Sequence, residues 1–321
     1  MARWNDLPRP EVDAAPAIGI VEPMKPTARA LSLLIATLVL STGSLALART
    51  GAEPGSLPPA LRATGGAGVA AVTGLGSLFA NPAAMGMQPG QSIELGFARD
   101  QRPGRSTFSL GSVDGNRGQI AGGSAYAYEF GDTVDGRERS GYDWRAGVSF
   151  GLKGETAGLL LGGTVRRMSM DWAAGAGQAK RTVEGWTGDV GLLLVLGEYI
   201  RLGAVWQNVK TLGSDEAPSM LAGGLGITAG PVLIAADTRF RTTDWEPNWA
   251  VGAQFGIAQV AIIRAGWRMD RAAQAQHLIT GGLGVRIERY GFDASFEIDP
   301  KVPSRWQLGI SVVLGLPYVG G

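Results

Sequence analysis

The stretch "WQLGISVVLGL" (306–316) alternates in character from one residue to the next. One set of alternate positions is apolar and the other is mostly small or polar: Trp306, Leu308, Ile310, Val312 and Leu314 against Gln307, Gly309, Ser311, Val313 and Gly315. A period of two predicts a β-strand with one apolar face and one small or polar face.

The same period recurs along the chain, clearly in 142–152, 200–207, 232–240 and 290–299. With turn residues as punctuation, about fourteen strands are predicted, and most approach the length that a tilted strand needs to cross a bilayer. Their expected spans are 91–99, 105–113, 118–130, 141–152, 157–170, 183–196, 199–209, 219–228, 231–241, 247–256, 258–269, 277–288, 290–299 and 304–315.

The predicted connections differ in length from one end of the strands to the other. Turns such as Gly197-Glu198 are very short, whereas the polar stretches 131–140, 171–182, 210–218 and 270–276 are longer. This alternation is typical of closed antiparallel barrels in the outer membrane of Gram-negative bacteria, and an even strand number places both termini in the periplasm. A soluble sandwich or propeller is the alternative, but it would need a second protein layer over the apolar rows.

Composition excludes several kinds of site. The chain has 321 residues, 50 of them Gly, a formal net charge of +1, no Cys and a single His. A nearly neutral chain gives no electrostatic footprint for nucleic acid. Without Cys and with only His277, a thiolate or multi-histidine metal centre is excluded, and no cofactor is predicted.

The N-terminus reads as a targeting sequence. Lys25 and Arg29 precede the uncharged, mostly apolar run 30–40, and Ala46-Leu47-Ala48 is an A-x-A cleavage site. Residues 1–48 are therefore predicted to be a signal peptide, with Met24 a possible true start. An uncleaved N-terminal anchor is the alternative. The expected domains are then 1–48, a periplasmic or plug segment 49–90, and a barrel 91–321.

The segment before the first strand, "ATGGAGVAAVTGLGSLFANPAAMGMQPG" (63–90), is made of small residues around one apolar pair. This composition suits a narrow space, so we expect it to plug the barrel mouth. Leu78 and Phe79 would anchor it against apolar wall residues. Asn81-Pro82 would form a turn that steers the chain into the first strand, because Pro disfavours helix at the preceding residue. Hydrogen bonding of the Asn81 side chain to the plug backbone is expected to be secondary.

Three motifs in order resemble the FadL/PorV-type outer-membrane barrels: "GGAGVAAVTGLGSLFANPAAM" (65–85), "YIRLGAVWQNV" (199–209) and "IIRAGWR" (262–268) followed by 280–297. The resemblance implies a fourteen-stranded barrel with an N-terminal segment inside or beneath it. FadL itself is a long-chain fatty-acid channel with a longer hatch and larger outer loops, so this chain is closer in size to PorV-like members, some of which serve secretion or surface attachment. The ending "LGLPYVGG" departs from the usual terminal aromatic residue.

Alternation places a set of charged residues on the inner face. They could select a solute in a pore, or they could pair with one another to hold plug and wall together. Five acids against six arginines favour pairing, because a lone buried charge is costly. The set comprises Asp143, Arg145, Asp189, Arg201, Asp237, Arg239, Arg264, Arg268, Arg286, Asp293 and Glu297.

No enzyme is predicted. His277 is the only histidine available to activate a serine, and an exposed histidine on the outer rim explains it better. "GGAGVA" and "GGLGVR" lack the Lys and Ser/Thr of a phosphate-binding loop.

Two function classes stay open. One is transport of a hydrophobic or amphipathic molecule across the outer membrane; the other is a structural or secretion-associated barrel that docks envelope proteins. Membrane lipid is an expected partner in both.

Overall fold

The computed structural model describes residues 57–101, 104–115, 119–134, 137–154, 156–174, 179–212, 217–258, 260–270, 276–304 and 306–316. The predicted signal peptide 1–48 and the chain end after Leu316 lie outside the described residues, so both stay predictions.

Fourteen antiparallel strands form one closed barrel, in which each strand pairs with its sequence neighbours and β1 pairs with β14. The predicted fold class and strand number are therefore confirmed. The strands are β1 (Gly90–Asp100), β2 (Arg105–Gly115), β3 (Ile120–Val134), β4 (Arg137–Lys153), β5 (Ala157–Trp172), β6 (Arg181–Leu196), β7 (Ile200–Gln207), β8 (Met220–Ala229), β9 (Val232–Arg241), β10 (Pro247–Ile257), β11 (Ala261–Asp270), β12 (Gln276–Ile287), β13 (Tyr290–Ile298) and β14 (Trp306–Leu316).

The two faces of β14 are oriented as its sequence predicts. Leu308, Ile310 and Val312 point outward and are 50%, 49% and 52% exposed, whereas Gln307 and Ser311 point inward and are 2% exposed. Rows of Leu, Val, Ile and Phe cover the outer face of most other strands in the same way. The apolar face of the sheet is thus on the outside of the barrel, the reverse of a soluble protein.

The prediction of a loop at residues 131–140 is wrong. β3 runs to Val134 and β4 begins at Arg137, so most of this stretch is a paired hairpin. A β-bulge shifts the register between Glu129 and Asp132, after which the ladder continues. Its polar composition suggested a loop. A strand that projects beyond the apolar band has no need of an apolar face, and the alternating pattern is lost while backbone pairing persists.

Residues 57–89, here called the inner segment, lie inside the barrel. They contain a short helix α1 (Pro59–Ala63), a 3-10 turn (Gly74–Gly76), a second short helix α2 (Ser77–Ala80) and a longer 3-10 stretch (Pro82–Met87). Most of their side chains are buried. In the part of the chain that the structure describes, no helix is long and apolar enough to cross a membrane.

One set of wall glycines, here called the glycine contact ring, lies directly against the inner segment. A methyl carbon built on any of these residues would lie 3.4 Å or less from an inner-segment atom. At Gly162, Gly203 and Gly266 the atoms in contact are inner-segment backbone, and only Gly lets two backbones approach so closely. The ring has thirteen members on eleven strands, with two each on β2 and β8: Gly111, Gly115, Gly123, Gly147, Gly162, Gly191, Gly203, Gly224, Gly226, Gly252, Gly266, Gly282 and Gly309.

Candidate functional site

The first half of the inner segment is held by side chains of β9 and β12. The Asp237 carboxylate accepts hydrogen bonds from the backbone N–H groups of Gly68, at 2.7 Å, and Val69, at 2.9 Å. Arg239 donates to the Gly66 carbonyl. Thr280 donates to the Ala63 carbonyl at 3.0 Å. These bonds satisfy buried backbone groups of the inner segment that would otherwise lack a protein partner.

Asn81 joins both halves of the inner segment to the wall, a larger role than the turn expected from the sequence. Its amide nitrogen donates to the carbonyls of Val69, at 2.7 Å, and Leu192 on β6, at 3.0 Å. Its side-chain oxygen accepts from the Ala83 N–H at 3.1 Å and caps the 3-10 stretch that follows. The expectation that this side chain is secondary is therefore wrong, because a fully buried amide must find partners for all its polar atoms.

Pro82 occupies the first position of that 3-10 stretch, where its missing N–H costs nothing. The Asn81-Pro82 turn therefore does not lead straight into β1, as the sequence suggested. The chain first passes through the 3-10 stretch and reaches β1 after Met87.

Leu78 and Phe79 pack in an apolar cluster with Leu75, Met85 and the wall residue Val113. The wall beside Phe79 is also charged, because the Arg145 guanidinium carbon lies 4.5 Å from its ring centroid. Arg145 donates in addition to the Leu78 carbonyl at 3.2 Å. On the other side, Gln207 donates to the Phe79 carbonyl at 2.7 Å.

A buried ion-pair network on β4, β5 and β6 contains Asp143, Arg145, Arg166 and Asp189. Asp143 lies 2.9 Å from Arg145 and 2.8 Å from Arg166, and Arg145 lies 3.5 Å from Asp189. Asn208 closes the network by accepting from Arg166 at 2.7 Å and donating its backbone N–H to Asp189 at 2.8 Å. Two acids and two arginines leave this network without net charge.

All but one of the other predicted inner-face charges also lie close to opposite charges. Arg239 lies 3.5 Å from Asp237, and Arg268 lies 3.1 Å from Glu297. Asp293 accepts from both Arg264 and Arg286, each at 2.6 Å. Within the described ranges, Arg201 alone of the predicted set has no ion-pair partner.

Sequence reasoning missed further inner-face charges: Glu94, Asp100, Arg105, Glu129, Arg139 and Arg166. Strand parity could have found Glu94 and Arg166, since each lies two residues from buried neighbours of the same face. In β1, glycine and serine make the alternation of apolar and polar residues harder to recognise. In β5, two consecutive arginines, Arg166 and Arg167, interrupt that alternation. The others lie near strand ends, where boundaries predicted from sequence are least certain.

A cavity of about 420 Å³ lies between the inner segment and the end of the barrel that carries the short turns. Here we call it the vestibule. Gly230 and Pro231 of the β8–β9 turn form part of its rim, and Ala60, Leu61 and Val72 of the inner segment form its roof. Five charged side chains line it: Glu94, Arg201, Arg264, Arg286 and Asp293.

His277 stacks against Trp267 near one end of β12, with ring centroids 5.6 Å apart. Across the described residues, no group of three or more His, Asp or Glu side chains is placed to hold a metal ion.

No family model and no curated protein matches the chain, but solved structures do. The Ralstonia pickettii toluene transporter TbuX has a TM-score of 0.59 and 14% identity over 81% of this chain and 98% of its own. The fold is similar to that of FadL-type barrels. The Pseudomonas putida toluene transporter TodX has a TM-score of 0.60 and 12% identity over 85% of this chain and 100% of its own. A Pseudomonas aeruginosa FadL homologue has a TM-score of 0.55 and 10% identity over 83% of this chain and 100% of its own. At these identities the likeness concerns the fold.

Proposed function

We propose that this chain is an outer-membrane barrel that passes a small hydrophobic or amphipathic molecule, with both termini in the periplasm. The observation that carries the proposal is the inner segment. It obstructs the lumen, and it is held by side-chain hydrogen bonds, an apolar cluster and close contacts with wall glycines, all of which are non-covalent. The toluene transporters that share this fold add support, as do the A-x-A site and the short-turn rim.

The apolar outer face argues for a membrane location. Side chains such as Phe150 and Leu152 are 53% and 69% exposed, and they belong to continuous apolar rows. Exposing such surface to water costs about 25 cal/mol per Å². Because the barrel is closed, its backbone groups are paired internally and the face can meet lipid.

The pairing of charges in the lumen favours an uncharged or weakly polar cargo over an ion. Most inner-face acids and arginines neutralise one another at 2.6–3.5 Å. A pore that selects ions needs uncompensated charge along its path. The apolar cluster around Leu75, Leu78 and Phe79 instead gives a hydrophobic molecule a surface to cross when the inner segment shifts.

The experiment is uptake of toluene and of a fluorescent fatty acid by liposomes that contain the full chain, with single-channel conductance recorded in parallel. Deletion of residues 63–80 should raise uptake above that of the wild type. Phe79→Ala should raise it less, and Phe130→Ala, which truncates an outward side chain that is 42% exposed, should leave it unchanged. Background uptake by both the wild type and the deletion would contradict transport.

A PorV-like barrel that docks envelope proteins is the second candidate. The glycine contact ring favours it, since an inner segment packed this closely against eleven strands fills much of the lumen with protein. The same liposome assay separates the two functions: if deletion of 63–80 opens no path, cross-linking of partners at the barrel rims becomes the decisive measurement.

A further inference from the structure

The vestibule presents polar groups on two facing walls. β1 and β8 are seven strands apart in either direction around the barrel, so they lie on opposite sides, and β7 adjoins β8. Side chains from both sides line the same cavity. The unmatched groups on the two walls differ in chemistry, and that difference defines what could bind between them.

The β7–β8 wall carries an unmatched cation and an unmatched hydroxyl. Arg201 pairs in register with Gly226, and Thr228 follows on the same face two residues later. Both line the vestibule. Among the described residues, Arg201 has no hydrogen bond or ion pair, and the buried Thr228 hydroxyl oxygen has no hydrogen-bond partner. Together they form one positively charged, hydrogen-bonding face.

The opposite wall carries an unmatched carboxylate oxygen. Glu94 is 7% exposed, lines the vestibule, and its Oε1 atom has no partner in the described part of the chain. The nearby arginines do not supply one: Arg264 and Arg286 donate instead to the two oxygens of Asp293, each at 2.6 Å. A buried acceptor left in this state is costly unless a donor reaches it.

The rest of the lining includes the matched charges Arg264, Arg286 and Asp293 and an apolar strip, to which Ala60, Leu61, Ala71, Val72 and Val313 belong. We propose that the vestibule binds a small zwitterion with an apolar spacer. Its carboxylate would face Arg201 and Thr228, and its ammonium group would face Glu94. One molecule would thereby satisfy both unmatched ends, whereas a single-charged molecule satisfies one. This site does not depend on the proposed transport.

The test is calorimetric titration of the detergent-solubilised full chain with ω-amino carboxylates of increasing length: 4-aminobutanoate, 6-aminohexanoate and 8-aminooctanoate. Hexanoate and hexylamine, which each keep one charged end, are the comparison probes. At least one zwitterion should bind about tenfold or more tightly than either single-charged probe, a difference of about 1.4 kcal/mol. The preferred length then reports the spacing of the two walls.

Two variants assign the ends. Arg201→Gln should weaken the zwitterion about tenfold and leave hexylamine unchanged, and Glu94→Gln should weaken the zwitterion and leave hexanoate unchanged. Arg167→Gln and Glu184→Gln remove the same charges from an exposed pair outside the barrel and should have no effect. Equal binding of hexanoate and 6-aminohexanoate, zwitterion binding unaffected by both vestibule variants, or no saturable binding of any zwitterion would each overturn the proposal. If a variant fails to fold, the comparison of the zwitterions with hexanoate and hexylamine in the wild type still tests the proposal.

Discussion

Asn81 is the residue on which the inner segment depends most. Asn81→Ala removes its three hydrogen bonds and leaves buried backbone groups unpaired, at about 1–3 kcal/mol for each group. We expect faster hydrogen exchange throughout residues 57–89 and little change in the wall strands. Asn81→Asp keeps the oxygen that accepts from Ala83 but loses both N–H donors, so hydrogen exchange of residues 57–89 should also be faster in this variant. If residues 57–89 of Asn81→Ala were protected from hydrogen exchange as strongly as in the wild type, Asn81 would not be holding the inner segment in place.

Gly203 shows what the glycine contact ring requires at a single position. A methyl carbon there would lie 2.3 Å from the Val69 carbonyl oxygen, and backbone cannot move aside as a side-chain tip can. Gly203→Ala should therefore lower the free energy of unfolding by about 1–3 kcal/mol. Gly223→Ala on β8 is the matched control, since the nearest atom to a methyl carbon there, the Gly203 carbonyl oxygen, would be 4.0 Å away. Urea unfolding followed by Trp fluorescence measures both, and equal midpoints would refute the packing argument.

At the scale of elements, the ion-pair network couples three strands to the inner segment. Arg145→Met would strip Asp143 and Asp189 of a buried partner, and we expect a loss of about 3–5 kcal/mol in unfolding free energy. Arg167→Met breaks the exposed pair with Glu184, which should be worth about 0–1 kcal/mol. The same urea assay compares them. Similar losses in the two variants would mean that burial of the network contributes little.

The alternation of apolar and polar residues along each strand made the barrel predictable, and the prediction failed where the sequence does not show this alternation. Leu308 and Ser311 could be placed on opposite faces because period two is a local property of a strand. The β3–β4 hairpin could not be recognised, since beyond the apolar band nothing in the sequence marks pairing. The hydrogen bonds from Asn81 to Leu192 and from Gly68 to Asp237 join residues more than a hundred positions apart. Such contacts follow from barrel closure and have no signature in the local sequence.

At the scale of the whole molecule, the proposed location in a bilayer predicts a depth-dependent cost for outward charges. Ile310 lies midway along β14, so Ile310→Arg should cost about 2–4 kcal/mol, whereas Leu152→Arg, beside a short turn, should cost about 0–1 kcal/mol. Both side chains are exposed, at 49% and 69%, which excludes burial in protein as the cause. Folding into lipid vesicles measures the difference, and equal tolerance would argue against a membrane band around the barrel.

Export of the whole molecule has its own test. If the chain is cleaved after Ala48, intact mass of protein from the outer-membrane fraction should correspond to a polypeptide of 321 − 48 = 273 residues beginning at Arg49. The full-length mass, found in the inner membrane, would show instead that the N-terminus remains as an anchor.

The glycine contact ring also bears on how this barrel could change during evolution. Because the inner segment meets eleven of the fourteen strands at their glycines, its length and course are matched to one circumference. Duplication or loss of a hairpin would widen or narrow the wall and separate many of these contacts at once. Strand number is thus constrained by the interior as well as by the shear of the sheet. Lineages that keep the inner segment should keep fourteen strands, and a change in strand number should accompany its loss or replacement.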